Sequence, residues 1–314
     1  MWLATLSCSM AGILSSTISG YRGRLAPSPT GYLHVGHART FWTAFQRARE
    51  AGGTLVMRME DLDPDRCRAS YADAAIEDLR WLGIRWQEGP DKGGPFAPYL
   101  QSRRLDVYLD AWRRLVRNGY LYPCRCSRKD LENALAAPHE SALPGAVGNS
   151  LLDPADDEPI YPGTCRPLQG GGSMADALGE GINWRFRVPD GEVVEFEDRN
   201  LGRQRFMAGR DFGDFVVWRR DGVPSYQLAC VADDAAMGIT EVVRGADLLK
   251  STARQMLLNR ALGFDDPAWF HCALVVDHNG RRLAKRHDSL SLSALRQRGL
   301  TPMNILSAEL PVEV

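Results

Sequence analysis

The segment Arg24-Leu-Ala-Pro-Ser-Pro-Thr-Gly-Tyr-Leu-His34-Val-Gly36-His37 constrains the fold most tightly. Arg22 to Ala26 reads as a short strand, and Pro27, Pro29 and Gly31 stop it in a rigid turn. A helix follows from Gly36 to about Ala51, with Ala38, Phe41, Trp42, Phe45 and Ala48 at helical spacing. A strand that turns into a helix gathers free backbone N–H groups at one point, where the helix dipole favours an anion. His34 and His37 at that point can donate to a phosphate, and Gly36 leaves space for a nucleotide against the backbone. Taken alone, His-x-Gly-His fits a structural histidine pair equally well.

Gly52-Gly53 ends the helix, Thr54 to Met59 reads as a strand, and helices fit Tyr71 to Leu82 and Arg104 to Asn118. Strand, helix, strand, helix predicts a parallel α/β sheet. The alternation breaks between Lys129 and Arg166, where there is no Lys or Arg, seven acidic residues, and repeated Pro, Gly and Ala. That composition predicts a solvated, mobile loop over 130–160. Strand-like segments resume at Asn183 to Val188, Glu192 to Glu197 and Asp214 to Trp218. A helix from Pro224 to about Met237, a strand Thr240 to Val243 and a helix from Ala246 to Leu262 restore the α/β order.

With 314 residues and 44% hydrophobic content, the chain can bury one large or two small cores. A net charge of −1 excludes a protein that holds nucleic acid by a strong overall positive field, although a local basic groove is compatible. No run of about 18 apolar residues is present to span a membrane. The first twenty residues carry no Lys or Arg and are interrupted by Ser and Thr, which argues against a secretion signal. Seven widely spaced cysteines predict a reducing, cytoplasmic setting.

Only Lys92, Lys129, Lys250 and Lys285 are lysines, so Lys285 in Gly280-Arg-Arg282-Leu283-Ala284-Lys285-Arg286 is conspicuous. A basic surface turn is the plain reading. A flexible ammonium there can instead follow charge between phosphates. The loop follows the strand-like Ala273-Leu-Val-Val-Asp277. Arg24 offers a guanidinium fork to a carboxylate, and Glu60, ending Leu55-Val-Met-Arg-Met-Glu60, an anion for an ammonium. Asp61 and Asp63 are expected to cap the next turn. Cys124-Arg-Cys126 and the later Tyr161-Pro-Gly-Thr-Cys165 supply three thiolates and a phenolate, enough for a tetrahedral zinc shell, or else small packing residues. Cys8, Cys67, Cys230 and Cys272 are read as packing or incidental.

The first segment resembles the HIGH region of class I aminoacyl-tRNA synthetases. Its Arg-x-Ala-Pro-Ser-Pro-x-Gly prefix is similar to that of the glutamyl subgroup, with Leu25 where Phe is common. Gly280 to Arg286 resembles the KMSKS loop, with Arg282 and Ala284 departing from it and Lys285 matching. Ser225-Tyr226-Gln-Leu-Ala and Thr240-Glu-Val-Val-Arg244-Gly-Ala-Asp247 resemble the remaining amino-acid-binding segments. The likeness runs from about residue 22 to 290, with the motifs in order.

It implies a class I Rossmann-type parallel sheet interrupted by an α+β insertion, with no anticodon-binding domain. The expected division is an N-terminal extension, disordered, at 1–21; the first half of the catalytic domain at 22–103; an insertion with a zinc site at 104–210; the second half at 211–263; and the KMSKS-like loop with short helices at 264–314. His34, His37 and Lys285 would be catalytic, and with Gly36 would hold ATP and its Mg²⁺. Arg24, Leu25, Ala26, Pro27, Ser28, Glu60, Tyr226 and Arg244 would bind L-glutamate. The Cys-x-Cys, Tyr-x-x-x-Cys pattern would place one structural Zn²⁺ on Cys124, Cys126, Tyr161 and Cys165.

Only 28 residues follow Arg286, enough for helices such as Leu290 to Gln297 and Pro302 to Leu310. That plan resembles the glutamyl-queuosine tRNA(Asp) synthetase family, which implies glutamate activation and transfer to wobble queuosine in the anticodon loop of tRNA(Asp), by a monomer with no membrane association. A short glutamyl-tRNA synthetase charging an acceptor end, a small-molecule nucleotidyltransferase and a catalytically silent RNA-binding paralogue stay open.

Overall fold

β1 (Arg22–Leu25) and β2 (Thr54–Met57) pair in parallel, Arg22 opposite Thr54 and Leu25 opposite Met57. Parallel strands need a crossover, and α1 (Val35–Glu50) supplies it. The computed structural model describes residues 20–127, 129–130, 160–167, 181–275 and 291–307. Outside them lie most of the N-terminal extension, most of the acidic stretch after Lys129, and residues 276–290 with Lys285.

The α1 N-cap is His34, and Val35, Ala38, Phe41, Ala44 and Ala48 form the helix's buried face. At its far end Gly53 lets two backbone segments pass closely: a Cβ there would lie 2.4 Å from the Tyr21 carbonyl oxygen. After β2 come α2 (Ala69–Trp81) and α3 (Leu105–Arg117). The second set of parallel elements is α4 (Tyr226–Ala236), β8 (Glu241–Gly245), α5 (Leu249–Leu262) and β9 (Ala268–Cys272). β8 pairs in parallel with β9, and it runs beside β1, where Thr240 N–H donates to the Arg22 carbonyl at 2.9 Å.

Between these sets, β3 (Leu121–Cys124), β4 (Asn183–Phe186) and β7 (Phe215–Trp218) form an antiparallel sheet in the order β3-β4-β7. β5 (Val193–Asp198) and β6 (Gly202–Met207) form a hairpin that joins the parallel elements, because Asp198 pairs with Trp269 of β9. The strand β6 has no apolar run and was not expected. Its Arg203 and Arg205 instead reach Glu195 across the hairpin at 2.6 and 3.1 Å. The strand expected at Ala273 to Asp277 lies earlier, at β9. Ala273, Leu274 and Val275 leave the sheet and are apolar because they wall a cavity, and Val276 and Asp277 are outside the described residues.

One core packs α1, α2, β1 and β2 against α6 (Leu292–Gln297) and α7 (Pro302–Leu306), with Leu25, Leu55, Leu79, Leu292 and Ile305 fully enclosed. The other is aromatic: Trp112 meets Trp184 edge-on at 5.1 Å, and Phe186 stacks on Phe215 at 5.3 Å. Among the described residues no helix is long and apolar enough to cross a membrane.

Candidate functional site

The β1–α1 turn, the end of β2, the start of α4 and the end of β8 converge on one cavity of about 370 Å³. Arg24, Ala26, Pro27, Ser28, His34, Gly36, His37, Glu60, Tyr226 and Arg244, all anticipated from sequence, line it. Leu25 does not. Successive strand residues face opposite ways, so Arg24 and Ala26 turn to the cavity while Leu25 is fully buried in the α1 core.

The two histidines are fixed by the helix they begin. His34 Nδ1 accepts the Gly36 N–H at 3.1 Å, and His37 Nδ1 accepts the His34 N–H at 3.2 Å, a reciprocal capping box built from imidazoles. Their rings lie 3.8 Å apart. With both Nδ1 lone pairs engaged, a neutral ring carries its proton on Nε2, so each histidine is a donor through that atom. A Cβ on Gly36 would lie 3.0 Å from His34 Cε1, so the first thing its missing side chain makes room for is the His34 ring, not a nucleotide.

Arg24 is 4% exposed, donates from Nη1 to the Val243 carbonyl at 2.8 Å, and has no hydrogen-bond partner for Nε. Glu60 is held from below by Arg58, at 3.1 Å. Sequence reasoning does not single out Arg58. It is fully buried in β2's continuation, also bonds Asp234 at 2.5 Å, and lies 3.7 Å from Asp233, which in turn pairs with Arg104 at 2.6 Å. Burial opposes its charge, but these three carboxylates hold Arg58 well above its ordinary value. A lone arginine in the apolar run Leu55-Val-Met-Arg was the available signal.

Cys230, read as a packing residue, lies with Sγ 3.4 Å from Glu60 Oε1. Burial, and then Glu60, push its thiol well up, so it stays protonated and donates to the carboxylate. Asp63 does cap its turn, accepting the Asp65 N–H at 3.2 Å, whereas Asp61 reaches across to the Ser102 N–H and hydroxyl at 2.9 and 2.6 Å.

Arg244 is 5% exposed, and its partners differ from those of Arg24 and Arg58. Nε donates to His271 Nε2 at 3.2 Å, Nη1 to Gln255 at 2.8 Å and Nη2 to Thr252 at 2.6 Å, and the guanidinium lies 5.0 Å over the Trp269 ring. His271 Nδ1 is 2.6 Å from Asp198 Oδ2, with both side chains fully buried. Burial pushes His271 below its ordinary value, with Asp198 opposing. Burial likewise favours protonated Asp198, but hydrogen bonds from His271 and the Leu201 and Asn200 backbone hold it below the usual carboxylate range. The pair is therefore neutral imidazole against ionised carboxylate, with Nδ1–H donated and Nε2 accepting.

Lys285 lies outside the described residues. The chain on either side of its segment is at the cavity: Ala273, Leu274 and Val275 line it, and Ser291 bridges to His34 where Leu292 N–H meets the Leu33 carbonyl at 2.7 Å.

A separate cluster lies at the end of β3. The sulfurs of Cys124, Cys126 and Cys165 are all within 4.8 Å of one another, Cys126 and Cys165 at 3.5 Å. Tyr161 Oη is 3.4 Å from Cys124 Sγ and 3.6 Å from Cys126 Sγ, and it accepts the Cys165 N–H at 2.8 Å. Burial pushes the Cys126 thiol up to about 11, whereas at Cys165 hydrogen bonds outweigh burial and the thiol sits below its ordinary value. Tetrahedral zinc thiolates place sulfurs about 3.8 Å apart, so the donor set and spacing fit the ion.

A strand-to-helix turn, two histidines at the helix start, buried arginines and one carboxylate thus share a single cavity. The family described as the catalytic domain of class I tRNA synthetases (E and Q) matches residues 21–309, and the chain belongs to it. It is 48% identical over 285 residues to the Glutamyl-Q tRNA(Asp) synthetase of Nitratidesulfovibrio vulgaris, covering 90% of this chain and 83% of that one. It is 42% identical to Glutamate–tRNA ligase 2 of Nitrosococcus oceani, over 89% of this chain but 56% of that one. Among solved structures, the glutamate–tRNA synthetase of Elizabethkingia anophelis superimposes with a TM-score of 0.69 at 29% identity, covering 85% of this chain and 53% of that one.

Proposed function

We propose that this enzyme activates glutamate with ATP and transfers the glutamyl group to queuosine, the wobble nucleoside of tRNA(Asp). The observation that carries the reading is the convergence of Arg24, Glu60, Tyr226 and Arg244 with His34 and His37 on one cavity. The resemblance to Glutamyl-Q tRNA(Asp) synthetases, which this chain matches over most of their length, supports the acceptor.

In the first step a glutamate α-carboxylate oxygen attacks the ATP α-phosphorus, the bond to pyrophosphate breaks, and glutamyl-adenylate forms. Arg24 and Arg244 take the charge of the glutamate side-chain carboxylate and Glu60 that of the ammonium. The α1 N-terminus and the Nε2–H groups of His34 and His37 take the phosphate charge, joined by Lys285. Mg²⁺ would neutralise phosphate oxygens. In the second step a hydroxyl of the queuosine ring attacks the anhydride carbonyl carbon and AMP departs. Catalysis is positioning and electrostatics, with no protein nucleophile. A Zn²⁺ on Cys124, Cys126, Tyr161 and Cys165 would be structural, the protein a cytoplasmic monomer, and the anticodon loop its RNA contact.

Glutamate-dependent exchange of pyrophosphate into ATP, run without tRNA, tests the activation step. The reading expects exchange with glutamate and little with glutamine, because an amide cannot form the charged contacts that Arg24 and Arg244 offer a carboxylate. Equal rates with the two amino acids contradict the role of Arg24. Exchange that appears only on adding tRNA(Glu) favours a short glutamyl-tRNA synthetase.

A further inference from the structure

The arginines around the cavity are treated in two different ways. Arg24, Arg58 and Arg104 face the carboxylates of Glu60, Asp233 and Asp234, three charges against three. Arg244 is equally buried, yet its hydrogen-bond partners are an imidazole, an amide and a hydroxyl, all neutral. A buried cation is expensive unless paired or well hydrogen-bonded. Here three neutral acceptors replace water's hydrogen bonds while leaving the positive charge unspent. The nearest carboxylate in this chain of contacts, Asp198, is one residue removed, on the far side of His271.

That arrangement depends on the imidazole's tautomer. Asp198 accepts the Nδ1 proton and also the backbone N–H of His271, Asn200 and Leu201, so it is locked in place. Nε2 then has only a lone pair to present, and it faces both Arg244 Nε at 3.2 Å and the Thr252 hydroxyl at 3.0 Å. Three of the five guanidinium N–H groups are consumed, and two remain, one on Nη1 and one on Nη2. Two N–H groups are what a carboxylate needs for bidentate binding.

We infer that His271, Thr252 and Gln255 form a cradle of neutral acceptors, with Asp198 behind it fixing the His271 tautomer, and that the four are positioning residues for glutamate recognition: they orient Arg244 and preserve its full charge for a substrate carboxylate. The inference rests on the proposed activation of glutamate. It makes a prediction opposite to that of a stability role. Replacing Gln255 by a carboxylate would strengthen its contact with Arg244 as an ion pair, but would spend the charge meant for the ligand.

Pyrophosphate exchange with Gln255→Glu and His271→Asn, varying glutamate and ATP separately and recording Tm, tests it. Asparagine can still donate to Asp198 but presents no acceptor at the Nε2 position. The expected result is a glutamate KM raised about tenfold or more in both, as for loss of a charged hydrogen bond, with ATP KM near wild type. Gln255→Glu should keep or raise Tm, and its preference for glutamate over glutamine should shrink. A wild-type glutamate KM in Gln255→Glu overturns the inference, as does a parallel rise of both KM values with a fall in Tm in both variants. If the wild type shows no glutamate-dependent exchange, the functional reading itself falls, and the inference with it.

Discussion

Arg58 donates to Glu60 at 3.1 Å although neither side chain is more than 7% exposed, and the same guanidinium contacts Asp233 and Asp234. The carboxylate proposed to receive the amino group is thus oriented by a cation that never meets solvent. Arg58→Met would leave three carboxylates short of their common counter-charge. Removing one member of such a buried network costs about 3–5 kcal/mol. Urea unfolding of the variant should show a loss of that size, and a loss below about 1 kcal/mol would show that the network relaxes without its centre.

Lys285 is proposed to meet the phosphates chiefly as charge shifts between them. Lys285→Ala should then lower kcat by roughly 10²-fold with little change in glutamate affinity, on the scale of one lost electrostatic stabiliser. Steady-state exchange kinetics decide the matter. Wild-type turnover in the variant returns the loop to a basic surface turn.

Cys124, Cys126, Tyr161 and Cys165 bring together the ends of a segment rich in acidic residues, alanine and proline, with little apolar surface to order it. Elemental analysis of protein expressed with zinc and purified without chelator should give about one zinc per chain. Cys165→Ser should lower both metal content and Tm, and spare exchange activity in the folded fraction. Zinc-free protein of unchanged stability would make these cysteines packing residues.

Asp78 on α2 offers a test of pH dependence. Burial pushes its carboxyl up to about 6, with Arg296 opposing. The folded protein therefore holds this proton more tightly than the unfolded chain, whose Asp titrates near 4. Its contribution to stability is full below pH about 4 and is lost as pH rises through 6. Asp78→Asn, which mimics the protonated acid, should be more stable than wild type at pH 7 by roughly 1–3 kcal/mol and should remove that fall. Equal stability of the two proteins across pH 4 to 7 would refute the assignment.

How far the sequence revealed this site depends on the physical signal each residue carries. The β1–α1 segment was legible because strand, proline turn and helix are local events, and its histidines fall where the helix must begin. Arg24 and Glu60 stood out by their charge, but Tyr226 and Arg244 were found through resemblance, since nothing local brings residues about two hundred apart to one cavity. Leu25 was assigned to glutamate binding because the motif is contiguous, whereas strand pleating turns alternate residues away. Asp198, His271, Thr252 and Gln255 were missed entirely. They come from β5, β9 and α5, and only the pairing of Asp198 with Trp269 sets that carboxylate beside His271. The strand β6 escaped because its stability lies in cross-strand pairs with β5, not in an apolar alternation of its own.

The central claim is the acceptor. Labelled glutamate should be incubated with ATP, the enzyme and tRNA(Asp) with or without queuosine, and the product cut to separate the anticodon loop from the 3′ end. Label confined to the anticodon-loop fragment of the queuosine-containing tRNA is the result predicted here. Label at the 3′-terminal nucleotide, or equal labelling of tRNA(Asp) that lacks queuosine, would contradict it.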